Sequence, residues 1–205
     1  MIYKRMKGTI METIVQAKRV LEIFKEMSQI PRESGNEKGI SDYIVNFAKN
    51  LGLEVHQDEI FNVVIKKAAS PGYENRPSII LQGHIDMVCV KDHDSNHDFA
   101  KDPIANIIEG EWMRADHTTL GADNGMGAAM MLAILEDESQ QHGPMQLLFT
   151  TNEETGMDGA FALKEGQVTG DYLINLDTEV EHDFTVSCAG GCHVHVKIPL
   201  LRDNN

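Results

Sequence analysis

Ser78-Ile79-Ile80-Leu81-Gln82-Gly83-His84-Ile85-Asp86 joins a short unbroken apolar run to a histidine and an aspartate two residues apart. A continuous run such as Ile79-Ile80-Leu81 predicts a strand covered on both faces. On an extended segment, positions two apart share a face, so His84 and Asp86 can point the same way just past the strand. Taken alone, they read better as two hydrogen-bonded or solvated polar residues. Their meaning comes from the other segments that end in the same fashion.

Met145-Gln146-Leu147-Leu148-Phe149 leads into Thr151-Asn152-Glu153-Glu154-Thr155-Gly156. Tyr172 to Leu176 reads as another buried strand and closes on Asp177-Thr178-Glu179. Gly121-Ala122-Asp123-Asn124-Gly125 opens an apolar helix predicted over 124–136, where Asp123 by itself reads as an N-cap. Upstream, helical periodicity predicts helices over about 12–28 and 37–51, separated by Pro31 and a Ser34-Gly35-Asn36 turn, with Gly52 as a stop. Residues 53–60 and 62–66 read as paired strands. Residues 70–77 and 91–101 read as exposed loops, 111–115 as a short strand and 158–165 as a short helix. Strands alternating with helices give an α/β fold, a mostly parallel sheet flanked by helices. Ligands of such sheets gather outside the carboxyl ends of the strands, where these polar residues lie. Beyond Phe184 the pattern changes. Phe184-Thr185-Val186 and 193–198 alternate at period two, which predicts half-exposed antiparallel strands.

The chain has 205 residues and a net charge of −14, from 32 acidic and 18 basic side chains. That balance repels a nucleic-acid backbone or an anionic membrane and suits cations. The apolar run near Met126–Leu135 is too short to span a bilayer. The basic N-terminus has no apolar stretch behind it, so no signal peptide is expected. Cys89, Cys188 and Cys192 form neither a disulfide framework nor a zinc-ligand pattern, and fit packing in a reducing cytoplasm.

Glu153-Glu154 is the sharpest signal. Two carboxylates about 4 Å apart repel by roughly 4 kcal/mol at an effective dielectric near 20. Convergence with Asp123 and Asp177 would multiply that cost, and divalent cations would remove it. Two such ions bridged by a carboxylate can polarise a carbonyl and activate water. A carboxylate left free can act as general base, and Glu153 is the candidate, with Glu154 as a ligand. Glycines on either side of Asp123 would let backbone approach the site closely.

On these motifs the chain resembles the M20-type co-catalytic zinc peptidases, and within them the cytosolic aminoacyl-histidine (Xaa-His) dipeptidases. The resemblance rests on Leu81-Gln82-Gly83-His84-Ile85-Asp86-Met87-Val88, on Thr118-Thr119-Leu120-Gly121-Ala122-Asp123-Asn124-Gly125 and on Glu153-Glu154-Thr155-Gly156-Met157-Asp158-Gly159-Ala160. Ile174-Asn175-Leu176-Asp177-Thr178-Glu179 and Cys188-Ala189-Gly190-Gly191 extend it. It implies two divalent cations, zinc first, with manganese or cobalt also suited. His84 and Asp177 would hold one, Glu154 the other, and Asp123 would bridge both across a cis peptide. Glu153 would be the base, and Asp86 would orient His84. Family members are longer, so residues 12–187 would form the N-terminal part of the catalytic domain and 188–205 the start of a lid. A histidine ligand of the second metal would lie downstream, with His193 and His195 unsuited to replace it, and these 205 residues alone would be weakly active or inactive. The implied activity is hydrolysis of Xaa-His dipeptides in the cytoplasm, with a dipeptide as substrate, no nucleic acid or membrane partner, and a homodimer as the assembly to consider. The competing expectations are a deacylase or tripeptidase of the same superfamily, and a non-catalytic fragment that binds metal or associates with another chain.

Overall fold

The computed structural model describes residues 10–178, 180, 183–187, 189–191 and 194–199, with side-chain surroundings from residue 17 onward. Helices α1 (Ile10–Met27) and α2 (Lys38–Asn50) come first, followed by strands β1 (Glu54–Gln57), β2 (Val63–Lys67) and β3 (Ile79–His84). A small hairpin of β4 (Asn106–Glu109) and β5 (Trp112–Ala115) precedes helix α3 (Ala122–Glu136). Strand β6 (Met145–Thr150), two single-turn helices α4 (Glu153–Gly156) and α5 (Asp158–Phe161), and strand β7 (Tyr172–Asn175) complete the order.

Five strands form one sheet in the order β1-β2-β6-β3-β7. The expected α/β architecture holds. Its parallel part is confined to β6, β3 and β7, while β1 and β2 extend the sheet antiparallel beyond β6. The crossovers between β3, β6 and β7 leave room for helices, and the tight β1–β2 connection does not.

Alternation along the strands explains why β2, β3 and β6 read as unbroken apolar runs. Val63, Ile65, Leu81, Met145, Leu147 and Phe149 face α1, α2 and α3 in the main core. Val64, Ile80 and Leu148 point to the other face, where Leu163 and Val168 pack on them. On the helical side, Ile23, Phe24 and Met27 of α1 and Ile40 and Ile44 of α2 are fully buried. The α3 helix is apolar all round, and Ala128, Ala129, Met131 and Leu132 are inaccessible, as suits a helix sandwiched between α1 and β3. Among the described residues no helix is long and apolar enough to cross a membrane. Cys89 is a free, half-buried thiol, and burial pushes it up to about 11, in keeping with a packing role.

Four expectations need correction. Strand β7 is not buried: Tyr172, Leu173 and Ile174 are all exposed, because among the described residues β7 sits at the sheet edge with β3 as its only neighbour. Asp123 does not cap α3, since the N-cap position is Gly121, in the left-handed region at φ 71°, and no side chain caps it. Residues 184–186 and 194–198 form no strand, because alternation without a neighbouring strand supplies no hydrogen-bond partner. The short helix expected at 158–165 stops at Phe161, with Ala162 as its C-cap. The β4 strand was not anticipated and pairs with the expected β5 in register from Asn106 opposite Ala115 to Glu109 opposite Trp112. Glu179, Cys188, Cys192 and His193, named in the sequence reading, lie outside the described residues, as do positions 200–205 of the segment expected to begin a lid.

Candidate metal centre

The parallel register brings three strand ends together. His84 pairs with Thr150 across β3 and β6, and Gln82 pairs with Asn175 across β3 and β7. Main-chain bonds carry the ladder past the strands: Ile85 N–H donates to Thr150 O at 2.9 Å, and Leu176 N–H to Gln82 O at 2.8 Å. Residues just beyond these ends therefore share one edge. Asp123 arrives from the opening of α3, where Asp123 and Asn124 depart from helical geometry and the Asp123–Asn124 peptide is cis, as the family resemblance implied.

His84 is the hub. It is buried, with Nδ1 3.1 Å from Asp86 Oδ1 and Nε2 3.1 Å from Asp123 Oδ1. Nε2 also lies 3.8 Å from Asp177 Oδ2 and 3.9 Å from Glu153 Oε2. Two groups have ligand atoms within 4.8 Å of one another: His84, Asp123 and Glu154 form one, and His84, Glu153 and Asp177 the other. Every residue singled out from the sequence for this centre is thus at the same edge. Asp86, fully buried, stands behind it. Its carboxylate accepts from Ser34 Oγ at 2.7 Å and from the main-chain N–H groups of Glu153 and Glu154 at 3.1 and 3.3 Å. It therefore ties His84 to the segment that carries the two glutamates. A recess of about 210 Å³ opens beside Glu153 and Asp177, with Gln82, Thr150 and Asn175 among its lining.

The electrostatics record the crowding. Burial opposes a charge on the His84 imidazole, but the hydrogen bond and charge of Asp86, with Asp177 and Asp123, outweigh it and push the ring up to about 9. Burial and the charge of Asp123 raise the Glu154 carboxyl above its ordinary value. Asp177 is raised by burial, then by Asp123 and Glu153, against the pull of His84. For Asp86 burial acts upward, but bonds from His84, Ser34 and Glu153 N–H hold it below the usual range.

The donor set fits divalent cations. With Nδ1 engaged by Asp86, His84 offers one free nitrogen, flanked by carboxylates, which is a mixed nitrogen and oxygen set suited to zinc, manganese or cobalt. That single Nε2 can serve one group only, so a second ion would rest on carboxylates among the described residues.

A pH dependence follows. Glu154 and Asp177 keep protons to higher pH folded than unfolded, so metal-free stability falls as pH rises above the unfolded carboxyl values near about 4. The stabilising contribution of His84 is fully present below about 6.5 and is lost as pH rises through about 9. Asp86 acts oppositely, its contribution being present above about 4 and lost as pH falls through its depressed value. A cation bound between His84, Glu154 and Asp177 would replace their protons. The rise in melting temperature caused by zinc or manganese is expected to be larger at about pH 8 than at about pH 5.5, as thermal denaturation will show. An equal rise at both would mean that the ion binds elsewhere.

Sequence reasoning missed the residues that hold this edge together. Arg32 and Glu37 are buried, and Asn62 receives Thr151 N–H on Oδ1 while donating to Gly159 O. They belong to a turn and a strand start, where no periodicity distinguishes a supporting polar residue from a solvated one.

The fold is that of known peptidases. An aminoacylhistidine dipeptidase from Vibrio alginolyticus superposes with a TM-score of 0.77 at 47% identity, over 80% of this chain and 33% of that one. A tripeptidase from Staphylococcus aureus superposes at 0.67 with 28% identity, over 80% of this chain and 44% of that one. In sequence, the cytosol non-specific dipeptidase of Escherichia coli (strain K12) is 48% identical over 182 residues, which are 89% of this chain and 38% of the relative. The family model for peptidase family M20/M25/M40 matches residues 80–198. The chain belongs to peptidase family M20/M25/M40. It spans less than half the length of these relatives.

Proposed function

We propose that this chain carries the liganding part of a two-metal dipeptidase acting on dipeptides that end in histidine. The observation that supports it most is the convergence of His84, Asp123, Glu153, Glu154 and Asp177 at one edge of the parallel strands. In this reading His84 and Asp177 hold one cation, Glu154 holds the other and Asp123 bridges them. Zinc is the first candidate, with manganese or cobalt as alternatives. Residues 12–187 form the N-terminal part of the catalytic domain, and 188–205 begin a lid. A cytoplasmic setting agrees with the name of the Escherichia coli relative.

Bound cations would polarise the scissile carbonyl and make water more acidic. The residues do the rest. Glu153, in the lining of the recess, takes a proton from the attacking water while the oxygen adds to the carbonyl carbon. As the carbon–nitrogen bond breaks, Glu153 returns that proton to the departing amine of histidine. Asp86 fixes the ring of His84 by accepting Nδ1–H, which keeps Nε2 free for the metal.

The test is histidine release from a panel of dipeptides and acyl amino acids in the presence of zinc or manganese. Slow release from Xaa-His dipeptides is expected from these 205 residues, and Glu153→Gln should lower it by about 10²–10⁴-fold while leaving metal uptake intact. Release from tripeptides or acyl amino acids instead would move the assignment within the family. A second reading is favoured by the exposure of Tyr172, Leu173 and Ile174 on β7, apolar residues suited to association with another chain. Metal uptake with no hydrolysis and with self-association in light scattering would select it.

A further inference from the structure

We propose that Arg32 is a positioning residue of the metal centre, its guanidinium locking the segment that bears His84 and Asp86 against the one that bears Asp123. The inference rests on the metal reading above and deepens it by naming what holds the ligands in register.

Arg32 is 2% exposed, yet its hydrogen bonds go to main-chain carbonyls rather than to a carboxylate. Nη1 donates to Ile85 O and Asp86 O, each at 3.2 Å. Nη2 donates to Gly121 O at 2.6 Å. The Arg32 carbonyl in turn accepts Met87 N–H at 3.1 Å. One planar group thus clasps the chain on both sides of the centre, two residues from Asp123 and one from His84.

The glycines flanking Asp123 explain how it fits. A Cβ on Gly121 would lie 2.5 Å from Nη2, and one on Gly125 would lie 2.6 Å from the same atom. These glycines leave the space that the guanidinium fills. The sequence reading assigned them to close backbone approach at the metal, whereas their open side faces Arg32.

Burying a cation is costly, and an apolar side chain would fill the same volume without that cost. Burial lowers the guanidinium to about 10, against the support of Asp86, so it stays charged at neutral pH. What an apolar residue cannot supply is a rigid fork of donors aimed at carbonyls from two chain segments, and lysine lacks that geometry too. The same turn reaches the third segment. Ser34 Oγ bonds Asp86, and Glu37 Oε1 accepts the N–H of Asn152 at 3.0 Å, just ahead of Glu153. Residues 32–37, which read from sequence as a turn at 34–36 leading into a helix from Glu37, touch all three segments.

The test is a cobalt titration of the 205-residue chain, followed by the visible absorption of the bound ion, for the wild type, Arg32→Lys and Arg32→Ala. Both variants are expected to bind cobalt about 10–100-fold more weakly and with an altered absorption band. Millimolar guanidinium should restore the affinity of Arg32→Ala, and urea should not. Wild-type affinity and absorption in Arg32→Lys, or no rescue of Arg32→Ala by guanidinium, would overturn the positioning role. So would loss of folded circular dichroism in both variants, which would make Arg32 a structural residue only. Absence of cobalt binding by the wild type would instead defeat the metal reading on which the proposal stands.

Discussion

Asp123→Ala is expected to abolish the thermal stabilisation that divalent metal gives this chain. A ligand present at about a hundred times its dissociation constant stabilises by about 2.7 kcal/mol. For a chain of this size that raises the melting temperature by roughly 5–10 °C. Asp123 is the carboxylate nearest Nε2 of His84 and shares a group with Glu154, so on the proposed reading its removal would strip the centre of its bridge. The metal-free melting temperature should hold. Asp123 raises both Glu154 and Asp177 by repulsion, and relief of that repulsion offsets the lost contact with His84. Differential scanning calorimetry with and without zinc separates the two effects. An undiminished zinc response in the variant would remove Asp123 from the centre and with it the two-metal reading.

The second large effect concerns stability. Phe24 is fully buried between α1 and the opening of α3, where a Cβ on Gly125 would come within 2.9 Å of its ring. Phe24→Ala should cost about 3–5 kcal/mol, because the surrounding side chains cannot collapse fully into the space. Total stability of a domain is about 5–15 kcal/mol, so this is a large part of it. The melting temperature should fall by roughly 6–20 °C. Phe161→Ala is the control. Phe161 is 81% exposed, and the change should stay within about 0.5 kcal/mol in urea denaturation. A loss at Phe24 no larger than at Phe161 would mean that α1 does not pack as described.

Much of this could be read from residues in order. Runs with both faces buried, such as Ile79-Ile80-Leu81 and Leu147-Leu148-Phe149, announced their strands because each face demands an apolar side chain. The polar residues placed just past those runs, His84 and the Glu153-Glu154 pair, do meet at one edge, since a parallel sheet gathers its strand ends. What sequence could not give was position within the sheet. Tyr172-Leu173-Ile174 is as apolar as the buried runs and yet lies at the edge of the sheet among the described residues, because strand order is set by tertiary pairing. The supporting polar residues were hidden for a related reason. Arg32 and Glu37 act on residues more than fifty positions away, and nothing in the turn that holds them reports those distant partners.

The placement of β3 carries a consequence for biosynthesis. Its two neighbours, β6 and β7, are both made later, and Asn175 joins Gln82 across 93 residues of chain. On the ribosome, β3 must wait unpartnered until β6 emerges, and its second neighbour comes only with β7. A nascent polypeptide stalled before Met145 leaves β3 an apolar strand without either neighbour, in need of chaperone protection, and one stalled between Glu154 and Asp177 already carries His84, Asp123 and Glu154 but lacks the second group.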